Sequence, residues 1–415
     1  MQKLVIEGKN KLYGTVKIGG MKNSALPIIY ATLLIRDECI LENIPFVSDI
    51  INSLEILKGM GASVELCENN TVRINTRDVT SDVKDLELIS KMRASCYLMG
   101  TMLSRFGRVK IPMPGGCNFG ARPIDQHLKG FECLGANCNQ KDETIEILTK
   151  NTLKSEKITL DKISVGATIN MVLASVLIKG VTIIENVAIE PHVDDLICFL
   201  NKAGAKIMRY GRRIYIIGVD HLKGIRYKIY PDMIEALTYV AILGACGGKI
   251  ELLDVVPKHL SYPIEIFKEM GFKFLIKDDK ILVEVDKLLS GVSIETNPYP
   301  LFPTDLHPQL SALLCFTSNG GKIKENIFQT RFAYVKELEK MGANIKQNND
   351  TVTIKPSVMF GTRLDATDLR AGAALITAAL GANGISEINN INYIVRGYEN
   401  IVQKISAIGG NIKII

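Results

Sequence analysis

No stretch of this chain is long and apolar enough to span a bilayer, since the richest run, Ile169 to Ile178, falls well short of the ~20 residues a membrane helix needs. The opening MQKLVIEGKNK has no apolar core of a secretory signal, so a cytoplasmic protein is expected. Low-complexity tracts are absent. Nine cysteines, at 39, 67, 96, 117, 133, 138, 198, 246 and 315, are odd in number and show neither CxxC pairs nor histidines at metal-ligand spacing. That pattern argues against a disulfide framework and against a zinc site, and leaves most of them as small buried hydrophobes. Charge of one sign is not in large excess: 50 Lys and Arg stand against 44 Asp and Glu, for a net +6. The basic residues are scattered and lack the aromatic-flanked clusters that track nucleic acid, so small acidic substrates are expected rather than a polyanion, with no nucleic-acid or membrane partner. Protein partners are not indicated either way.

What is present is a globular composition, 47% hydrophobic and 23% charged, over 415 residues. A single core stops growing before that length, so two domains of roughly 200 residues are expected. One phrase recurs along the chain: LKGMGA at Gly61, FECLGA at Gly135, LNKAGA at Gly204, FKEMGF at Gly271, LEKMGA at Gly342 and ISAIGG at Gly409. The intervals are 74, 69, 67, 71 and 67 residues. So regular a period marks one repeated unit, and each glycine stands where an amphipathic helix needs a left-handed residue at its end. Two short alternating runs then read as a hairpin in five units, as in KIMRYGRRIYIIGV. The sixth stops at NIKII, and the chain's own beginning, KLVIEG, is expected to supply the missing strand.

Each unit also opens on a helix apolar all round, such as SALPIIYATLLI, ATINMVLASVLI or AGAALITAAL, which belongs in a core. The fold class expected is therefore α/β, with two domains of three repeated units, sheets wrapped around buried helices. The first domain covers 22–229, and the second combines 1–21 with 230–415. A ligand site is expected in the cleft between the two halves.

The residues opening the six buried helices are not ordinary core residues: Lys22-Asn23, Arg93, Ser164-Val165-Gly166, Asp232, Asp305 and Arg370. Any one such charge reads as a cap or a solvated end. Recurrence at one place in the repeat points instead to anion binding at helix starts, strengthened by Lys and Arg. Arg122, Glu190, Arg331 and Arg396 stand at the starts of second helices and add to an electrostatic trap for phosphate and carboxylate. GGMKNS fails the G-x-x-x-x-G-K-[ST] phosphate loop, and PGGCNFGARP fails G-x-G-x-x-G. The second of these is a glycine loop presenting Cys117 five residues before Arg122, and such a loop could close over substrate.

Taken in order, GGMKNSALP, KMRAS, PGGCNFGARPID, DKISVGATIN, FPTDLHPQ, QTRFAYV, ATDLRAGAAL and VRGYENI run through essentially the whole chain. Together they resemble the enolpyruvyl transferase family, in the branch whose acceptor is UDP-N-acetylglucosamine. The resemblance implies an inside-out α/β barrel fold. It implies transfer of the enolpyruvyl group of phosphoenolpyruvate to the 3′-hydroxyl of that nucleotide sugar, through a tetrahedral ketal, with no metal and no organic cofactor. Lys22, Arg122 and Arg396 match the phosphoenolpyruvate contacts, with Arg93 and Arg370 close by. Asp305 matches the base at the sugar hydroxyl, and Cys117 matches the loop acid that fosfomycin alkylates. Lys22 and Arg396 join Cys117 and Asp305 as the catalytic set.

For the nucleotide sugar, the resemblance carries contacts to Asn23, Arg93, Arg122, Pro123, Ile124, Asp125 and Gln126. It carries others to Lys162, Ser164, Val165, Gly166, Asp305 and Ile327. Gln126 stands where the family commonly has Leu, and Ile189 where a basic residue precedes Glu190. The nearest rival is the sister enzyme acting on shikimate 3-phosphate, against which Cys117, the SVGAT run and the PTD run argue. The other is a nucleotide-sugar binder without catalysis, which would have lost Lys22, Cys117 or Asp305.

Overall fold

A computed structural model describes residues 2–115 and 124–415. Cys117, Arg122 and Pro123 lie outside the described residues. The chain divides into two compact units, one made of Gly20–Tyr230 and the other of Met1–Gly19 with Pro231–Ile415.

In the unit Gly20–Tyr230 the apolar helices Lys22–Ala31, Tyr97–Phe106 and Val165–Ser175 lie inside; every residue from Ala167 to Ser175 is buried. A helix with no polar face has nowhere else to go, and each buried Leu or Ile contributes roughly 1.5–3 kcal/mol. Sheets cover these helices. Strand Glu38–Glu42 pairs in parallel with Arg226–Lys228 and antiparallel with Thr71–Asn75, beyond which lies Ser63–Cys67. Val181–Glu185 repeats that arrangement with Lys157–Thr159, Arg213–Ile217 and Lys206–Tyr210. The third sheet has three strands among the described residues, Arg108–Pro112, Thr144–Leu148 and Asn137–Lys141.

The second unit is built alike around Met233–Cys246, His307–Leu314 and Leu369–Gly381. In its last sheet, strand Leu4–Glu7 lies between Ile385–Asn389 and Asn411–Ile414, antiparallel to both. The chain's two ends thus share a sheet. Its first sheet pairs Leu12–Lys17 in parallel with Gly248–Leu253, although Leu12–Lys17 leads into helix Lys22–Ala31 of the other unit. Conversely Arg226–Lys228 leads into Met233–Cys246 but pairs with Glu38–Glu42. The strand before each of these two helices has exchanged sheets.

All six glycines of the recurring phrase have positive φ, between 92° and 107°. An L side chain is strained there, which explains the period by backbone need. Gly100 answers a different need, because a Cβ on it would stand 2.6 Å from the Asn170 carbonyl oxygen. Its absence lets two buried helices touch. Asn170 uses that approach: its Oδ1 accepts from the Gly100 N–H at 2.9 Å, and its Nδ2 donates to the Cys96 carbonyl at 3.1 Å. None of the eight described cysteines is in a disulfide; Cys39, Cys96 and Cys315 are buried, four others partly so, and Cys133 is exposed. Cys133 departs from the expectation of buried thiols because it sits in the last turn of the amphipathic helix Asp125–Cys133, facing water.

Candidate active site

Within Gly20–Tyr230, Lys22 is the first residue of helix Lys22–Ala31, which has no side-chain cap and no acidic residue in its first turn. A cation there opposes the helix dipole. The compensation comes from Asp49, whose carboxylate meets Lys22 Nζ at 3.0 Å, both side chains being largely buried. Asn23 follows on the same turn, half-buried. Arg93 opens a short 3-10 turn, Arg93–Cys96, that leads into helix Tyr97–Phe106, and one guanidinium nitrogen lies 3.5 Å from the Pro114 carbonyl.

Ser164 caps helix Val165–Ser175, its Oγ accepting from the Ala167 N–H at 3.2 Å. Lys162 lies just before it on the connecting turn. Facing that turn, Ile124 precedes helix Asp125–Cys133. Gln126 is buried and ties the two segments: its Oε1 accepts from the Asp161 N–H at 2.7 Å and its Nε2 donates to the carboxylates of Asp125 and Asp161. Lys129 pairs with Asp161 as well and, ahead of Gln126, holds that carboxyl below its usual range. The departure at Gln126 is thus a polar stitch between the segments carrying Asp125 and Lys162.

His127, which sequence reasoning missed, packs against Gly166: a Cβ there would lie 3.0 Å from His127 Cε1. Asn170 Nδ2 sits 2.8 Å from His127 Nδ1, so the ring nitrogen accepts and the proton resides on Nε2. Burial, then the charge of Arg93, pushes His127 down to about 3, so the ring is neutral.

Within the second unit, Asp305 does not cap the helix it precedes. The helix His307–Leu314 begins after Leu306, with no side-chain cap, and the Asp305 carboxylate is taken by two arginines. Arg331 Nη1 reaches Oδ1 at 2.7 Å and Arg370 Nη2 reaches Oδ2 at 2.9 Å; the arginine side chains are 5% exposed and Asp305 is 26% exposed. Burial pushes the carboxyl up, but Arg370 and then Arg331 outweigh it and hold Asp305 far below the usual carboxylate range. These guanidinium groups, not helix amides, keep it ionised.

Arg370 is the second residue of helix Leu369–Gly381, whose cap Asp368 accepts from its N–H at 2.9 Å. Burial works against its charge, yet Tyr398 and Asp305 raise its pKa further above the ordinary arginine value. Its Nη1 donates to Tyr398 Oη at 3.0 Å. Asp232, by contrast, is a cap, accepting from the N–H groups of Ile234 and Glu235. Arg396 ends the short helix Asn392–Val395 and is half-buried. Ile327 is 37% exposed just beyond strand Gly321–Glu325. The structure thus brings Asp305, Arg331 and Arg370 together in one unit, and Lys22 with Asp49 in the other. Among the described residues, no group of three or more His, Cys, Asp or Glu is placed to hold a metal ion, and no helix is long and apolar enough to cross a membrane.

Comparison with known proteins adds to this geometry. The family described as EPSP synthase (3-phosphoshikimate 1-carboxyvinyltransferase) matches residues 6–405. The UDP-N-acetylglucosamine 1-carboxyvinyltransferase 2 of Clostridium acetobutylicum is 45% identical, over 100% of this chain and 99% of its own length. A UDP-N-acetylglucosamine 1-carboxyvinyltransferase of Halothermothrix orenii is 44% identical, again over 100% and 99%. Among solved structures, the enolpyruvyl transferase NikO from Streptomyces tendae superposes with a TM-score of 0.91 at 22% identity, covering 100% of this chain and 98% of that one. EPSP synthase from Acinetobacter baumannii gives 0.79 at 17% identity, with both chains fully covered. At such low identity these two speak for the fold alone, the inside-out α/β barrel with helices within and sheets around them.

Proposed function

The chain belongs to the enolpyruvyl transferase family, and from that premise we propose how its residues carry the reaction. It transfers the enolpyruvyl group of phosphoenolpyruvate to the 3′-hydroxyl of UDP-N-acetylglucosamine and releases phosphate, the first committed step of peptidoglycan synthesis. The choice of acceptor rests on one observation: full-length identity of 44–45% to enzymes named for the nucleotide sugar, against 17% to a solved enzyme named for shikimate chemistry.

In the addition step O3′ bonds to C2 of phosphoenolpyruvate while a proton reaches C3. In the elimination step C3 loses a proton and the bond from C2 to the phosphate oxygen breaks, which restores the double bond. Asp305 receives the O3′ proton, and Cys117 serves C3. Lys22, Arg93, Arg122, Arg370 and Arg396 hold the phosphate and carboxylate and offset charge that develops as phosphate leaves. Asn23, Pro123, Ile124, Asp125, Gln126, Lys162, Ser164, Val165, Gly166 and Ile327 seat the nucleotide sugar. The amide-rich start of helix Val165–Ser175, capped by Ser164, suits a diphosphate. The reaction is placed in the cytoplasm.

Phosphate release from phosphoenolpyruvate, measured with the purified chain and either UDP-N-acetylglucosamine or shikimate 3-phosphate, tests the reading. Release with the first acceptor alone is expected. Release only with the second overturns it, and so does calorimetric binding of the nucleotide sugar without turnover.

A further inference from the structure

Glu325 ends strand Gly321–Glu325, where its backbone is paired with Thr296, and it is fully buried, yet the bonds its carboxylate makes all go to groups outside the strands of that sheet. Its Oε1 accepts from the backbone N–H groups of Ile327 and Phe328, at 2.7 and 2.8 Å. Its Oε2 accepts from the Thr304 hydroxyl at 2.9 Å. Thr304 Oγ1 in turn accepts from Arg331 Nη1 at 3.1 Å, and that same nitrogen donates to Asp305 Oδ1 at 2.7 Å. His307 Nε2 stands 3.4 Å from the carboxylate, its pKa held well below the ordinary range by burial and then by Arg331, so the imidazole is neutral and does not cancel the charge of Glu325.

A buried carboxylate is costly unless every lone pair is answered, and a valine-like core residue would fill this space at less expense of desolvation. What Glu325 adds is a connection. The turn bearing Ile327, at the nucleotide-sugar site, and the turn bearing Asp305, at the reacting hydroxyl, are both fixed to one rigid group at the end of a strand.

We propose that Glu325, through Thr304 and Arg331, is a positioning residue that sets Asp305 at a fixed distance from the turn that seats the acceptor sugar. The inference rests on the reading of Asp305 and Ile327 given above. A base displaced by about an ångström from its hydroxyl forfeits roughly 10²-fold in rate, so the connection acts on kcat. The direct contact of Glu325 with the turn at Ile327 acts on KM for the nucleotide sugar, whereas phosphoenolpyruvate binding does not depend on it.

Thr304→Val, Thr304→Ser, Glu325→Gln and the double variant Glu325→Gln/Thr304→Val decide the matter in steady-state phosphate release. Thr304→Val keeps the shape but removes the hydroxyl, so kcat is expected to fall about 10- to 100-fold with both KM values within about 3-fold of wild type. Thr304→Ser restores the hydroxyl and should recover kcat to within about 3-fold. Glu325→Gln should lower kcat and raise KM for UDP-N-acetylglucosamine alone. The double variant should be no slower than the slower single one, because both changes cut one connection. Near-wild-type kcat in Thr304→Val, failure of Thr304→Ser to recover it, or multiplying losses in the double variant each overturn the proposal. Should Glu325→Gln lose the native circular dichroism, the two Thr304 variants still decide. If the wild type turns over with UDP-N-acetylglucosamine and Thr304→Val matches it, the inference fails and the acceptor reading stands. If the wild type shows no such turnover, both fall together.

Discussion

Arg331 on one carboxylate oxygen of Asp305 and Arg370 on the other make this acid's environment the decisive feature at the scale of the residue. Asp305→Asn keeps the shape, and no capping bond is lost because the helix starts after Leu306. Turnover should therefore fall about 10²- to 10⁴-fold while calorimetric binding of the nucleotide sugar largely survives. A variant near the wild-type rate would mean that the base lies elsewhere. Arg370→Gln separates the electrostatic account from the geometric one. Asp305 is ionised throughout the working pH range, and removing the cation that contributes most to that state raises its pKa. The pH profile of kcat/KM in Arg370→Gln should gain an acidic limb, with activity lost as pH falls through the raised value. The wild type should show none from Asp305, and profiles of identical shape would refute the clamp. Asp305, Lys22 and Arg370 were legible in the sequence because they sit at one recurring place in the repeat. Asp49, His127 and Glu325 were not, since each reaches the site through a partner at least 21 residues away in sequence, and nothing local in the sequence marks that partner.

Helices and their ends were the most legible elements, because an all-apolar helix and a left-handed glycine leave marks on composition and spacing. Strand exchange was not legible. A strand, helix, strand run by itself suggests that the flanking strands pair, as Lys157–Thr159 and Val181–Glu185 do. Leu12–Lys17 and Arg226–Lys228 pair more than 180 residues away, and nothing in their short sequences marks the difference. The helices also carry a pH dependence, through the contact of His127 with Asn170. Its folded pKa is about 3 and the unfolded value about 6.5, so the unfolded chain binds the proton first. The stabilisation is fully present above the unfolded value and is lost as pH falls towards 3. Between pH 7 and pH 5 that loss is about 2 kcal/mol. His127→Asn retains an oxygen able to accept from Asn170 and cannot titrate. Urea unfolding at the two pH values should show a drop smaller by about that amount than in the wild type. Equal drops would show that His127 is not the group responsible. His307, whose pKa is shifted in the same sense, leaves part of the acid sensitivity in place.

At the scale of the whole molecule the chain's first strand belongs with its last. Leu4 and Ile6 are fully buried in the sheet that also holds Ile385–Asn389 and Asn411–Ile414, so the unit of Met1–Gly19 and Pro231–Ile415 is closed by pairs such as Leu4 with Ile414 and Ile6 with Ile412, from opposite ends of the sequence. The unit Gly20–Tyr230 has its own buried helices and its own sheets, and no residue of Leu4–Glu7 pairs within it. A defect in the first strand should therefore be felt by one unit. Ile6→Ala removes buried carbons from a well-packed site and should cost about 2 to 5 kcal/mol. Because local and subglobal opening differ in free energy across a structure, hydrogen exchange can locate the loss. Amides in Ile385–Asn389, Asn411–Ile414 and the neighbouring helix Leu369–Gly381 should exchange faster in Ile6→Ala, while those in Val165–Ser175 and Val181–Glu185 keep their wild-type protection. Calorimetry should then resolve two transitions, the lower belonging to the wounded unit. Uniform loss of protection along the chain, with one lowered transition, would mean instead that the molecule unfolds as a single cooperative body. The two exchanged strands, Leu12–Lys17 and Arg226–Lys228, would then be the connections that couple one core to the other.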